Sequence, residues 1–156
     1  MNAALCRLSP FSRNGYGSHG QYTRLPIGLE CGSLDADMVQ GGTYIAVFHL
    51  PTRQRIRVGR LGSFWFERGV YFYAGSAKRN LAARIERHSR QAKPLRWHID
   101  YLSVRAEMIG AMLVPEGRVP ECELAVELLC LYKQAVPGFG SSDCRCHEHL
   151  FYAASL

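Results

Sequence analysis

The sequence predicts an α+β domain, a small antiparallel sheet of three to four strands flanked by helices. Segments dense in β-branched and aromatic residues recur between Gly42 and Ala74, each closed by proline or glycine. The connections between them are too short for parallel crossovers, which makes the pairing antiparallel. Two later segments carry a helical spacing or a proline start. The 156 residues, 47% hydrophobic and 21% charged, suit one compact domain.

Residues 1–41 are rich in Gly and Ser and show neither a strand nor a helix period, as in Ser12-Arg13-Asn14-Gly15-Tyr16-Gly17-Ser18. They read as a disordered extension ahead of a domain over 42–156, with Met38 as an alternative start. Thr43 to Leu50 is a strand that stops at Pro51. Arg55-Ile56-Arg57-Val58 alternates like a half-buried strand, Gly59 and Gly62 punctuate, and Val70 to Ala74 is a further strand closed by Gly75. Arg79 to Gln91 reads as a helix with Leu81, Arg84, Ile85 and His88 on one face, ended by Pro94. Trp97 to Leu102 is a short mixed segment. Glu107 to Val114 is one more strand, and Pro120 opens a second helix to about Lys133. On it Glu123 and Glu127 share a face, and Glu121 points almost oppositely. Phe139 and Phe151-Tyr152 read as a chain end folded back on the core.

The formal charge of +6 is unevenly spread. Residues 42–105 carry 13 basic and 3 acidic side chains, against 3 and 7 in 106–156. All the central basic residues but Lys78 and Lys93 are arginine, whose planar fork matches phosphate oxygens. A polyanion, most simply nucleic acid, is the expected partner; the bland alternative is a solvated basic face. No run approaches the roughly 18 apolar residues of a membrane-spanning helix. With no secretory segment, the six cysteines are expected to be reduced and the protein cytoplasmic.

Gly42-Thr43-Tyr44, Tyr73-Ala74-Gly75-Ser76-Ala77-Lys78, and then Arg84 and His88 resemble the GIY-YIG nuclease superfamily. Thr43 and Ala74 depart from the isoleucines of the family's name, and the stretch between Tyr44 and Tyr73 is longer than in many members. Trp97-His98-Ile99-Asp100-Tyr101, Glu121-Cys122-Glu123-Leu124-Ala125 and Gly138-Phe139-Gly140-Ser141-Ser142-Asp143-Cys144-Arg145-Cys146 are similar to the Uri subfamily, the stand-alone endonuclease-like group also called DUF123. The resemblance covers about residues 42–152.

Phosphodiester hydrolysis needs a base for water, a cation for the charge building on the phosphoryl oxygens, and a metal or acid for the departing oxygen. Tyr44 and Tyr73 could present two phenols to one phosphate. An unperturbed tyrosine titrates near ~10, so one of them needs activation by Arg84 and Lys78. Arg84 is the candidate phosphate clamp. The resemblance implies a catalytic set of Tyr44, Tyr73, Arg84, His88 and Glu123, with either tyrosine as base and Glu123 holding one Mg²⁺ or Mn²⁺. Lys78, Arg79, Arg87 and His98 are expected to bind substrate. Singly, each tyrosine reads as core, Arg84 as a surface charge, His88 as a satisfied helix histidine and Glu123 as a solvated carboxylate.

Cys144, Cys146 and His149 lie in a run of soft ligands, Cys144-Arg145-Cys146-His147-Glu148-His149, that zinc would accept. Ligands so close in sequence wrap poorly round one ion, and no second Cys-x-x-Cys pair exists, so packed thiols and surface imidazoles are the expectation. The expected function is a DNA endonuclease that nicks damaged or branched DNA in repair, a DNA-repair enzyme being a candidate partner. One alternative is a non-catalytic nucleic-acid-binding module on the same scaffold. Another is a zinc-stabilised interaction protein.

Overall fold

The computed structural model describes residues 4–8, 29–30, 40–115 and 119–155. In chain order the elements are β1 (Ala4–Leu8), β2 (Leu29–Glu30), β3 (Gly42–Leu50), β4 (Gln54–Val58), β5 (Gly62–Phe66), β6 (Gly69–Ala77), α1 (Leu81–Ser89), α2 (His98–Ser103), β7 (Glu107–Pro115), α3 (Glu121–Leu131), β8 (Lys133–Gln134) and β9 (Leu150–Ala153). The main sheet runs β2-β1-β7-β3-β6-β9-β8, and β4 and β5 form a separate hairpin. From β7 to β8 every neighbour is antiparallel, while β1 lies parallel to β7. The fold is α+β as expected, with a sheet wider than three to four strands.

Strands β3 and β6 are buried on both faces, which is why their sequences are nearly continuous apolar runs. Their alternate residues feed two cores. Tyr44, Ala46, Phe48, Tyr71 and Tyr73 pack with Leu81 and Ile85 of α1 and Ile99 and Leu102 of α2. Ile45, Val47, Val70, Phe72 and Ala74 pack with Leu124, Ala125 and Leu128 of α3. The sheet is therefore sandwiched between α1 and α2 on one side and α3 on the other.

Several expectations are corrected. β4 does not join the sheet: it pairs with β5, a strand hidden in the sequence by the flanking Gly59 and Gly62, and the hairpin inserts Ile56, Val58 and Phe66 into the first core. The mixed segment expected over Trp97–Leu102 is helix α2, His98–Ser103, with Trp97 as its N-cap. The chain end does fold back, as β9 pairs with β6 and Phe139 and Phe151 are buried. The extension expected over 1–41 falls mostly outside the described residues, as does Met38. The parts that are described include β1 and β2, which are strands rather than structureless chain.

Candidate functional site

The register of β3 against β6 pairs Tyr44 with Gly75 and Ala46 with Tyr73, so the two tyrosines are diagonal neighbours on the α1 side of the sheet. Their ring centroids are 6.4 Å apart. His88, in the last turn of α1, brings Nε2 to 2.7 Å from Tyr44 Oη. His88 is fully buried, and its Nδ1 has no hydrogen-bond partner among the described residues. Burial pushes the imidazole down to about 3, with Lys93 adding to the effect, Asp100 opposing it, and Arg84 and Arg87 lowering it further, so the ring is neutral.

Both phenols stay protonated. Burial raises the pKa of Tyr44, aided by Tyr73 and opposed by Arg84. Burial likewise raises Tyr73, aided by Glu121 and opposed by Arg84. Arg84 thus faces both hydroxyls with the sign expected of it, and burial outweighs it. Lys78 is not among the leading influences on either phenol: it is exposed just beyond β6, followed by the exposed Arg79.

Arg84 and Arg87 both lay their guanidinium groups on Trp97, at 4.7 and 4.4 Å from the ring. The fork of Arg87 is already engaged by the buried Asp100, at 2.6 and 3.0 Å, and by the Pro94 carbonyl at 2.8 Å. Arg87, expected to bind substrate, therefore clamps α1 to α2 with a fork already occupied. Arg84 makes no ion pair among the described residues, so its fork is the one left for an anion. His98 also has a structural task, since its Nδ1 accepts the Gly140 N–H at 3.1 Å and its ring packs on Phe139.

The carboxylate at the site is Glu121, not Glu123. Glu123 is exposed on α3, whereas Glu121 accepts hydrogen bonds from the Ser76 hydroxyl at Oε2 and from His149 Nδ1 at Oε1, the latter 2.8 Å long. Burial alone would raise its pKa, but the bonds from His149 and Ser76 lower it on balance and keep it ionised. A groove of about 290 Å³ opens over the ends of β3 and β6, lined by Gly42, Thr43, Ser76, Lys78, Pro120 and Glu121. It gives Glu121 and Lys78 a common solvent-accessible space.

Beside this groove lies a second cluster. Cys122 from the first turn of α3, Cys144 and Cys146 from the loop between β8 and β9, and His149 at its end place one ligand atom each within 4.8 Å of one another, a set able to hold a metal ion. Cys144 Sγ is 3.5 Å from His149 Nε2. Contact with Cys122, then burial, then Cys144 push Cys146 up to about 12. His147 points outward to Gln134 and takes no part, and Cys130 is exposed elsewhere on α3.

Sequence reasoning thus placed Tyr44, Tyr73, Arg84 and His88 together, and missed Glu121, Ser76 and Cys122. The signal for Glu121 was present: Glu121, Leu124, Ala125 and Leu128 stand at i, i+3, i+4 and i+7, so the carboxylate shares the face that docks on the sheet. Cys122 had no such signal, because its partners are more than 20 residues away in sequence.

Residues 43–156 match the sequence profile of one family, described as Domain of unknown function DUF123. No curated protein and no solved structure matches the chain.

Proposed function

The chain belongs to the DUF123 family, and from the geometry of its site we propose that it is a metal-dependent DNA endonuclease that hydrolyses phosphodiester bonds. The observation that carries this reading is the buried pair Tyr44 and Tyr73, with Tyr44 Oη 2.7 Å from His88 Nε2, in the electrostatic reach of both Arg84, which has no ion-pair partner among the described residues, and the ionised Glu121. The GIY-YIG-like order of these residues supports it.

Arg84 is held ready by Trp97, with a planar fork suited to two phosphate oxygens. Its charge is one of those that depress His88. A bound phosphodiester offsets that charge and makes the imidazole more basic. A proton can then pass from the attacking water to Tyr44 Oη while the phenol's own proton passes to His88 Nε2 along the 2.7 Å contact, which assigns the base role to Tyr44. Tyr73 lies alongside as a donor to the phosphate.

The oxygen-only donors of the groove, Glu121 and Ser76, suit a hard cation, and each carboxylate oxygen retains a lone pair beyond its hydrogen bond. When bound there, Mg²⁺ or Mn²⁺ supplies charge neutralisation to the phosphoryl group and the leaving oxygen. One site per chain makes the product a nick. The exposed Arg55 and Arg57 of β4, and Trp65 with Arg53 stacked on it at 4.3 Å, offer a surface for the DNA backbone.

The test is nicking of supercoiled plasmid and of abasic, deaminated, flap and branched oligonucleotides with Mg²⁺ or Mn²⁺. Arg84→Ala and Glu121→Gln each lose roughly 10²- to 10³-fold in rate, the usual cost of removing one charge-stabilising group. A second reading, a binding module without turnover, is favoured by the burial of both phenols; it predicts salt-sensitive DNA binding, no cleavage, and indifference to metal and to Glu121→Gln.

A further inference from the structure

We infer that Cys122, Cys144, Cys146 and His149 form a closed Cys₃His zinc site that fastens the loop between β8 and β9 to the first turn of α3, with Glu121 orienting the histidine. The donor set is three soft thiols and one imidazole, the composition of structural zinc centres, and it leaves no coordination position for water. The 3.5 Å from Cys144 Sγ to His149 Nε2 agrees with the edge of about 3.6 Å that follows from Zn–S and Zn–N bonds in a tetrahedron.

The histidine is also set in the tautomer a metal requires. His149 Nδ1 donates to Glu121 Oε1 at 2.8 Å, which leaves the Nε2 lone pair directed at the cysteines. The ring is buried and cannot turn away. The backbone holds this arrangement from behind: the His149 N–H donates to the Phe139 carbonyl at 2.8 Å, its carbonyl accepts the Ala74 N–H at 3.0 Å, and Glu148 accepts the Val136 N–H at 2.7 Å. Cys122 brings a donor from α3, which removes the objection that ligands so close in sequence cannot enclose an ion.

The site goes beyond the catalytic reading and is separable from it. It makes Glu121 a link between the two clusters, one carboxylate oxygen on the zinc ligand and the other on Ser76 at the groove.

The full-length protein, expressed in zinc-replete medium and purified under reducing conditions, tests this. One zinc per chain is expected by elemental analysis. Replacement by Co²⁺ is expected to give the strong visible bands of a tetrahedral centre together with thiolate-to-metal charge transfer. Alkylation read by mass spectrometry is expected to spare Cys122, Cys144 and Cys146 until a chelator is added, with the exposed Cys130 reacting throughout as the internal control. Glu121→Gln keeps the stoichiometry at saturating zinc and weakens affinity about 10- to 100-fold. Substoichiometric zinc, a weak octahedral cobalt spectrum, equal alkylation with and without chelator, or a disulfide among the three cysteines overturns the inference. None of these readouts depends on DNA cleavage, so an inactive protein with bound zinc defeats only the nuclease, and an active protein without it defeats only the zinc site.

Discussion

The ring of Tyr44 lies across the backbone of Gly75, its register partner on β6, so closely that a Cβ at that glycine would stand 2.5 Å from both Cζ and Oη of the tyrosine. The glycine is there to let the phenol reach His88. Gly75→Ala must displace the ring, since the neighbouring strand backbone cannot yield. Overpacking of this kind costs roughly 1–3 kcal/mol. Urea denaturation is expected to show that loss together with abolished nicking; a variant of unchanged stability would mean the ring has another place to lie.

Tyr44→Phe keeps the ring and removes the hydroxyl, leaving His88 Nε2 buried without the partner it has at 2.7 Å. Leaving a buried polar atom unsatisfied costs about 1–3 kcal/mol. Cleavage is expected to vanish with it, whereas Tyr73→Phe, which strands no such partner among the described residues, is expected to retain more of the activity. Equal rates for the two variants in the plasmid assay would deny Tyr44 its special role.

Glu121→Gln and Glu123→Gln differ by two positions on α3 and are expected to differ entirely in effect. The first removes the ionised carboxylate bonded to Ser76 and His149; the second alters an exposed side chain. Nicking falls roughly 10²- to 10³-fold only in the first. Loss in the second instead would return the metal-holding role to Glu123.

Arg84 and Arg87 share one indole and yet are expected to differ in role. Asp100→Ala strips the Arg87 fork of its buried partner and breaks the clamp between α1 and α2, a loss of about 3–5 kcal/mol for a buried pair. Arg84→Ala removes a half-buried side chain stacked on Trp97 but no ion pair among the described residues, so it is expected to cost only about 1 kcal/mol of stability while removing activity. Calorimetry of both variants beside the nicking assay separates the two roles.

Acid destabilises this fold through His88. Its folded pKa, about 3, lies below the unfolded value near ~6.5, so the unfolded chain binds the extra proton and stability rises with pH across that window. The contribution is complete above the unfolded value and is lost as pH falls through the window, by at most about 1.4 kcal/mol per pH unit. Asp100, whose pKa is lowered by Arg87 and by the Trp97 and Arg96 amides against the effect of burial, adds a further loss at still lower pH. Urea denaturation as a function of pH is expected to show this slope, and His88→Gln to flatten its upper part.

What the sequence revealed followed locality. β3 and β6 were readable because a strand buried on both faces is a nearly continuous apolar run, and α1 because Leu81, Ile85 and His88 mark one helical face. β5 was hidden by its glycines. β8 and β9, two and four residues long, take their identity from partners remote in sequence. The exchange of Glu123 for Glu121 arose from judging the helix by its acidic residues instead of by Leu124, Ala125 and Leu128, which decide how it docks. The reassignment of Arg87 could not be foreseen, since an arginine's charge does not disclose that a buried aspartate has already claimed it.

The chain contains two tryptophans, and each carries an arginine on its face. For Trp97 this makes the indole an optical reporter built into the fold. A phosphate that draws Arg84 away from the ring leaves Arg87 in place and changes the field the excited indole senses, so its emission should shift with anion binding even when no bond is cut. Trp65, on the hairpin with Arg53, answers to contacts there instead. Replacing either tryptophan in turn would give the protein a single-colour gauge, one for an anion at Arg84 and one for contacts at the hairpin.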